Sequence, residues 1–183
     1  MTKIKELREC FREDLLAYSR AGGWPPSAKM ALKLLLFQPG FQLACSIRLQ
    51  KALRALPLIG PLLCRILWYC TTIWFGVEIN IDARFGSGIY FPHPNGIVVA
   101  ADVVIGPNVA IYQQVTIGRG KVDDPTVPHL GTGTVVYAGA KIIGPLTIGE
   151  NAVIGANAVV IKDVPANHMA LGVPAKNRPL KVT

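Results

Sequence analysis

From residue 130 to residue 160 every sixth position is a branched aliphatic: Leu130, Val136, Ile142, Ile148, Ile154 and Val160. Four residues after each stand Thr134, Ala140, Leu146, Ala152, Ala158 and Val164, mostly small. The same rule runs upstream through Val99, Ile105, Ile111 and Ile117, with Val103, Val109 and Val115 in the fourth place, and Ile79, Phe85 and Phe91 extend it backward. A period of six is neither the 3.6 of an amphipathic helix nor the 2 of a half-buried strand. One such unit cannot bury its aliphatic alone, so the units must stack. Short strands, three to a turn, then form a prism with a narrow aliphatic core and small residues at its corners. A doubly wound sheet needs helical crossovers, and this stretch offers none. A sandwich would show turns every eight to twelve residues, which the pattern also lacks.

The period breaks twice. Phe91 to Val99 is eight residues, and Ile117 to Leu130 is thirteen, one unit plus the extra residues of "GRGKVDDPTVPHL", which must leave the prism as a loop over 118–130. His93 lies in the first break, inside "IYFPHPNGIVV", and His129 at the end of the second. Proline removes a ladder donor and is costly inside a sheet. Beside His93, Pro92 and Pro94 fix the backbone and let it leave the ladder without an unpaired donor. An imidazole held at a break in a regular coil is a candidate general base. Gln113 and Gln114, in "IYQQVTIG", lie one coil away and are candidates to line an acceptor pocket. His168, in "VPANHMALGVPAK", reads as a tail residue. A three-histidine zinc site is then missing its third ligand, so no metal is expected.

The N-terminal third reads as helices. "TKIKELRECFREDLLAYSR" spaces Ile4, Leu7, Phe11, Leu15 and Tyr18 by three and four, and "AGGWPPS" ends it. "AKMALKLLLF", "PGFQLACSIRLQKAL" and a segment starting at Pro61 and ending at "FG" supply three more. Residues 1–76 hold eleven Lys/Arg against four Asp/Glu, while residues 77–183 hold eight against seven, so +7 of the net +8 belongs to the helical part. Such a field suits an acidic surface or polymer. The run "ALPLIGPLLCRILWYCTTIWFGV" is broken by Pro57, Gly60, Pro61 and Arg65, which favours a packed or membrane-facing amphipathic helix over a span. Cys10, Cys45, Cys64 and Cys70 show no metal-ligand spacing and read as buried, reduced thiols of a cytoplasmic protein. The charged first twenty residues carry no signal-peptide pattern.

With these segments in view, the chain resembles the serine acetyltransferase family of hexapeptide-repeat acyltransferases. "PGFQLACSIRL" resembles the family's helical segment, "PHPNGIVV" its first histidine segment, "PHLGTGTVVYAGAKIIG" its second, and "IGANAVVIKDVP" with "GVPAK" its closing coil and tail. The resemblance implies an α+β chain: a helical domain over 1–76, a left-handed parallel β-helix over 77–166, and a tail over 167–183 near coenzyme A. It implies a homotrimer or a dimer of trimers with active sites between subunits and acetyl-CoA as co-substrate. His93 would be the base, Glu78 would orient it, and His129 would bind the acceptor or the developing oxyanion. Ala138, Gly139, Ala156 and Pro174 would run beside the pantetheine arm; Ala138, Ala156 and Pro174 stand eighteen residues apart, one turn each. Lys162 and Lys176 are candidates for the phosphates.

Departures from the family pattern bear on the acceptor. Members using L-serine have an aspartate before the first histidine, an arginine before the second and an aspartate ahead of the helical segment. Here Pro92, Pro128 and, by spacing, Pro25 stand there. A zwitterion left without a carboxylate and a cation loses several kcal/mol of affinity, roughly. The family's long tail ending in isoleucine is also not found before Thr183. The expectation is therefore an acetyl-CoA-dependent O-acetyltransferase acting on a sugar or glycan precursor, close to the exopolysaccharide and colanic-acid relatives. It would be cytoplasmic or at the inner membrane face, with peripheral membrane contact through the helices and no nucleic-acid partner. The alternatives are an L-serine O-acetyltransferase of cysteine biosynthesis and, in another class, an inactive β-helix scaffold.

Overall fold

The computed structural model describes residues 3–121, 123 and 125–180. The side chain of Ile4 and residues 181–183 of the expected tail lie outside the described residues.

The hexad segment winds into a three-sided parallel prism. One face carries β1 (Glu78–Ile79), β3 (Val98–Val99), β6 (Thr116–Gly118), β9 (Lys141–Ile143) and β12 (Val159–Val160). The second carries β2 (Arg84–Phe85), β4 (Val104–Ile105), β7 (His129–Leu130) and β10 (Thr147–Ile148). The third carries β5 (Ala110–Ile111), β8 (Val135–Val136), β11 (Val153–Ile154) and β13 (His168–Leu171), with β14 (Lys176–Pro179) antiparallel on its edge. The aliphatic of each unit points inward, and from Val99 to Val160 all ten are buried. Their fourth-place partners from Val103 to Ala158 are buried as well, so the six-residue rule describes the core it predicted.

Register shows what the breaks do. Val99 pairs with Ile117 and Ile142 with Val160, eighteen residues on. Ile79 pairs with Val99, twenty on, because of the insertion around His93, and Ile117 pairs with Ile142, twenty-five on, because of the excursion between β6 and β7. That excursion is narrower than the expected 118–130, since Gly118 and His129–Leu130 stay in strands. A third break was not expected. Ile148 bridges to Val164 and Ile154 pairs with Ala170, only sixteen residues on. Val164 is thus not a fourth-place partner but the core residue of the next side, which is two residues short. Asp163 fills the gap, its Oδ1 accepting the Thr147 N–H at 2.7 Å. Consequently residues 168–171 belong to the last coil rather than to a free tail, and His168 sits at the start of β13.

The helices are α1 (Lys3–Gly22), α2 (Ala28–Phe37), α3 (Pro39–Arg54) and α4 (Gly60–Phe75). Ser27 caps α2 by accepting the Met30 N–H at 3.1 Å, and Gly76, at φ 60°, closes α4 in the left-handed conformation that glycine adopts without penalty. α1 does not bury the stripe expected of it: Leu7, Phe11 and Leu15 are only half-buried, while Asp14 and Tyr18 are buried. The reason is polar. Asp14 receives Arg48 Nε at 2.8 Å and Nη2 at 3.0 Å, and also the Ile89 N–H at 2.9 Å. Arg48 in turn donates to the Phe85 and Gly86 carbonyls. The Tyr18 hydroxyl accepts the Phe91 N–H at 3.1 Å and donates to the Phe91 carbonyl at 3.2 Å. The side at Ile89–Phe91 opens the third face with no coil before it, so α1 supplies partners that a neighbouring strand would otherwise provide. All four cysteines are free thiols, but only Cys64 is fully buried, and Cys70 is exposed.

Candidate active site

Tyr90 bridges to Ala110, and the turn that follows carries His93 to the corner between the third and first faces, its ring 6.4 Å from that of Tyr112. Three contacts hold this turn. The Tyr18 hydroxyl clamps Phe91, and the Gly96 N–H donates to the Gly76 carbonyl at the end of α4, 2.8 Å away. Within the turn the Asn95 N–H closes on the His93 carbonyl at 2.9 Å. Gly40, at the start of α3, also touches it: a Cβ there would stand 1.8 Å from the Phe91 carbonyl oxygen. The imidazole itself is exposed.

The same corner continues along the prism as Gln113, Ala138, Ala156 and Gly172, an inference from the pairing of Ile111 with Val136, Val136 with Ile154 and Ile154 with Ala170. The shortened last coil moves Pro174 out of this row, and Gly172 takes the place expected of it. Pro174 lies beyond, in the exposed turn between β13 and β14, after a cis peptide bond. Gly139 has a φ of 73°, and a Cβ there would meet Asn157 Oδ1 at 2.0 Å, so the small residue is required by the stacking itself. A row of small side chains, Ala138, Ala156 and Gly172, therefore runs from the corner of the His93 turn toward the last coil. Lys162 and Lys176 are both exposed, before and after β13, and only Lys176 is placed at the end of the row, paired with Leu171 beside Gly172.

Beside the row stands a feature the sequence reading missed. The His93 and Tyr112 rings are 6.4 Å apart, and Tyr112 and Tyr137 are 5.0 Å apart, forming an aromatic strip up the corner. Both tyrosines directly follow an inward aliphatic, twenty-five residues apart, which is one coil plus the excursion. That spacing was the available signal. Gln113 has a buried Oε1 with no hydrogen-bond partner among the described residues, which suits a pocket-lining amide. Gln114 is instead a corner former, at φ 59°, with its carbonyl receiving Lys141 Nζ at 2.6 Å.

Glu78 is exposed and opens β1 beside Val98, one strand below the His93 turn; among the described residues no hydrogen bond joins it to His93. His129 is exposed and opens β7 between Val104 and Thr147, at the corner between the first and second faces. A six-residue side separates that corner from the His93 corner, roughly 15–20 Å at the rise of an extended chain. One chain does not bring the two histidines together. Among the described residues no cluster of three His, Cys, Asp or Glu could hold a metal ion.

Comparison with known proteins agrees with this architecture. Residues 128–162 match the family model described as bacterial transferase hexapeptide (six repeats). A serine acetyltransferase of Helicobacter pylori is 37% identical over 154 residues, covering 82% of this chain and 88% of the relative. One of Synechococcus elongatus is 39% identical over 152 residues, and there the chain spans only 62% of the relative's length. Among solved structures, soybean serine acetyltransferase complexed with serine superposes with a TM-score of 0.83 at 35% identity, covering 95% of this chain and 70% of that one. A serine acetyltransferase in complex with CoA gives 0.80 at 33% identity, covering 95% and 70%. The helices followed by parallel-strand faces are consistent with a left-handed β-helix. The names give no support to the expected closeness to exopolysaccharide and colanic-acid enzymes. The chain belongs to the serine acetyltransferase family of hexapeptide-repeat, acetyl-CoA-dependent O-acyltransferases.

Proposed function

We propose that this chain transfers an acetyl group from acetyl-CoA to a hydroxyl, with L-serine as the acceptor. The observation that carries the reaction is the exposed His93 at the foot of a row of small side chains running to the last coil. A hydroxyl is a poor nucleophile at neutral pH, and a thioester carbonyl is already activated. His93 takes the hydroxyl proton as the oxygen attacks the carbonyl carbon. The C–O bond forms, the C–S bond breaks, and the proton passes from the imidazole to the departing thiolate. No serine or cysteine nucleophile is needed, so transfer is direct within a ternary complex. Acetyl-CoA supplies the acyl group, and the Ala138–Ala156–Gly172 row with Gly139 would receive its pantetheine arm. Lys162 and Lys176 would serve its phosphates. The proposed location is the cytoplasm, a compartment that holds acetyl-CoA.

The serine assignment rests on relatives bearing that name and on a neighbour complexed with serine. A second reading, a sugar hydroxyl, is favoured by Pro92 beside the base and the Tyr112–Tyr137 strip, which offers a ring an apolar platform and a zwitterion no charge. Because His93 and His129 stand on different corners, their joint action calls for two chains, as in a trimer with sites between subunits.

The test follows thiol release from acetyl-CoA by wild type and His93→Ala, with L-serine in one series and sugars and nucleotide-sugars in the other. Turnover with serine, lost at least about 100-fold in the variant, is the expected result. Turnover with sugars alone transfers the assignment to the second reading. Histidine-independent turnover, or none, overturns both. If the site spans two chains, co-assembled His93→Ala and His129→Ala chains regain activity that neither has alone.

A further inference from the structure

Helix α4 is built inside out. Its packed side is small and polar: Gly60, Cys64 and Thr71 are buried, and the Thr71 hydroxyl meets Ser46 Oγ at 2.6 Å on α3. Its open side is apolar, with Leu62, Ile66, Tyr69 and Ile73 at i, i+4, i+7 and i+11, each at least half exposed. Trp74 is 79% exposed at its end, and Leu58, just before its start, is 96% exposed. α2 is apolar on both sides, burying Met30 and Leu34 while Leu32, Leu35, Leu36 and Phe37 stay open. A helix on a water-facing surface shows the opposite pattern, and an apolar face of this extent calls for a cover.

Charge identifies the cover. From Leu15 to Val77 there is no Asp or Glu, against seven Lys/Arg. Arg48, Lys51 and Arg54 are in ion pairs, which leaves Lys29, Lys33 and Arg65 on α2 and α4 without one among the described residues. Two of these lie over indoles, Lys33 at 4.9 Å from Trp24 and Arg65 at 4.6 Å from Trp68. Cations paired with Trp, next to exposed Tyr and Leu, match the mixed chemistry of a headgroup boundary. A second copy would meet this face with the same positive sign, whereas anionic lipid meets it with the opposite one.

We infer that the open faces of α4 and α2 seat the protein on a lipid bilayer bearing anionic headgroups. No single helix among the described residues is long and apolar enough to cross a membrane. The α2–α3 pair, which is so by length and composition together, bends by 96° at its break, with α3 buried on one side. We therefore lay the open faces of α2 and α4 in the boundary plane. This inference is independent of the acceptor, and its readout needs no turnover.

The test is co-sedimentation of the full chain with phosphatidylcholine vesicles and with vesicles containing about one third phosphatidylglycerol. Wild type is expected to bind the anionic vesicles at least about ten-fold more tightly. Ile66→Glu with Ile73→Glu should abolish binding, and the triple change Lys29→Gln, Lys33→Gln, Arg65→Gln should remove the preference for anionic lipid. Unchanged far-ultraviolet circular dichroism confirms that the variants fold. Wild type that binds neither vesicle overturns the inference. So does a wild-type particle that stays off vesicles but halves in mass, by light scattering, when Ile66 and Ile73 become Glu, since the cover is then a second copy.

Discussion

Replacing Asp14 with alanine tests the joint between the helices and the prism. The carboxylate is 1% exposed, and Arg48, 2% exposed, leans on it through two nitrogens. Removing one partner of a buried ion pair leaves an uncompensated charge and costs about 3–5 kcal/mol. The Ile89 N–H also loses its acceptor, a further penalty of about 1–3 kcal/mol that overlaps with the first. Arg48 keeps its bonds to the Phe85 and Gly86 carbonyls, which limits the loss. A total near 4 kcal/mol lowers Tm by about 8–16 °C for a chain of this size. Thermal unfolding by circular dichroism, at one fixed protein concentration, reads this directly. The companion is Asp14→Leu with Arg48→Met, which removes both charges and should be less damaging than the two single changes summed, by about 2 kcal/mol or more. A single-variant shift below about 3 °C, or strict additivity in the cycle, would refute the joint as described.

Gly40→Ala places a methyl group 1.8 Å from the Phe91 carbonyl oxygen and 2.7 Å from the Tyr18 hydroxyl, both fixed by each other. Unfolding should show a loss of at least about 2 kcal/mol, accompanied by reduced turnover as the His93 turn is displaced. Alkaline pH acts on the same joint. Burial pushes the Cys45 thiol up to about 11, and burial also raises the Tyr18 phenol well above its ordinary value. Both groups hold their protons more tightly when folded, so stability is intact below pH 9 and falls as pH rises from there through about 11. Urea midpoints at pH 8 to 11 check this, Cys45→Ala removing the earlier part of the fall; a flat profile in wild type contradicts the burial.

The prism was legible because each coil must place a branched aliphatic in a narrow core, a demand that leaves a strict trace in sequence. Insertions were legible for the same reason, as at His93. The deletion before Val164 was not, because Val164 stands four residues after Val160 and so satisfies the spacing of a corner partner while serving as a core residue. Pro174 was misplaced in the row by that same two-residue shift. Asp14 and Arg48 were hidden differently. They lie thirty-four positions apart on two different helices, and only the open side at Ile89–Phe91 creates the demand that draws them together inside. The site was legible at His93, where period and proline coincide, and incomplete elsewhere, since which corner a residue occupies depends on register summed over every earlier break.

A stack of similar rungs has no length of its own, and its open ends invite another stack to continue it. Here the first rung is sealed by Tyr18 and Asp14, and the last by β14, whose edge presents Lys176, Arg178 and Pro179. Each chain is a rod with two dead ends. Any association between copies would thereby be steered away from end-on growth into fibres and toward the flanks of the prism.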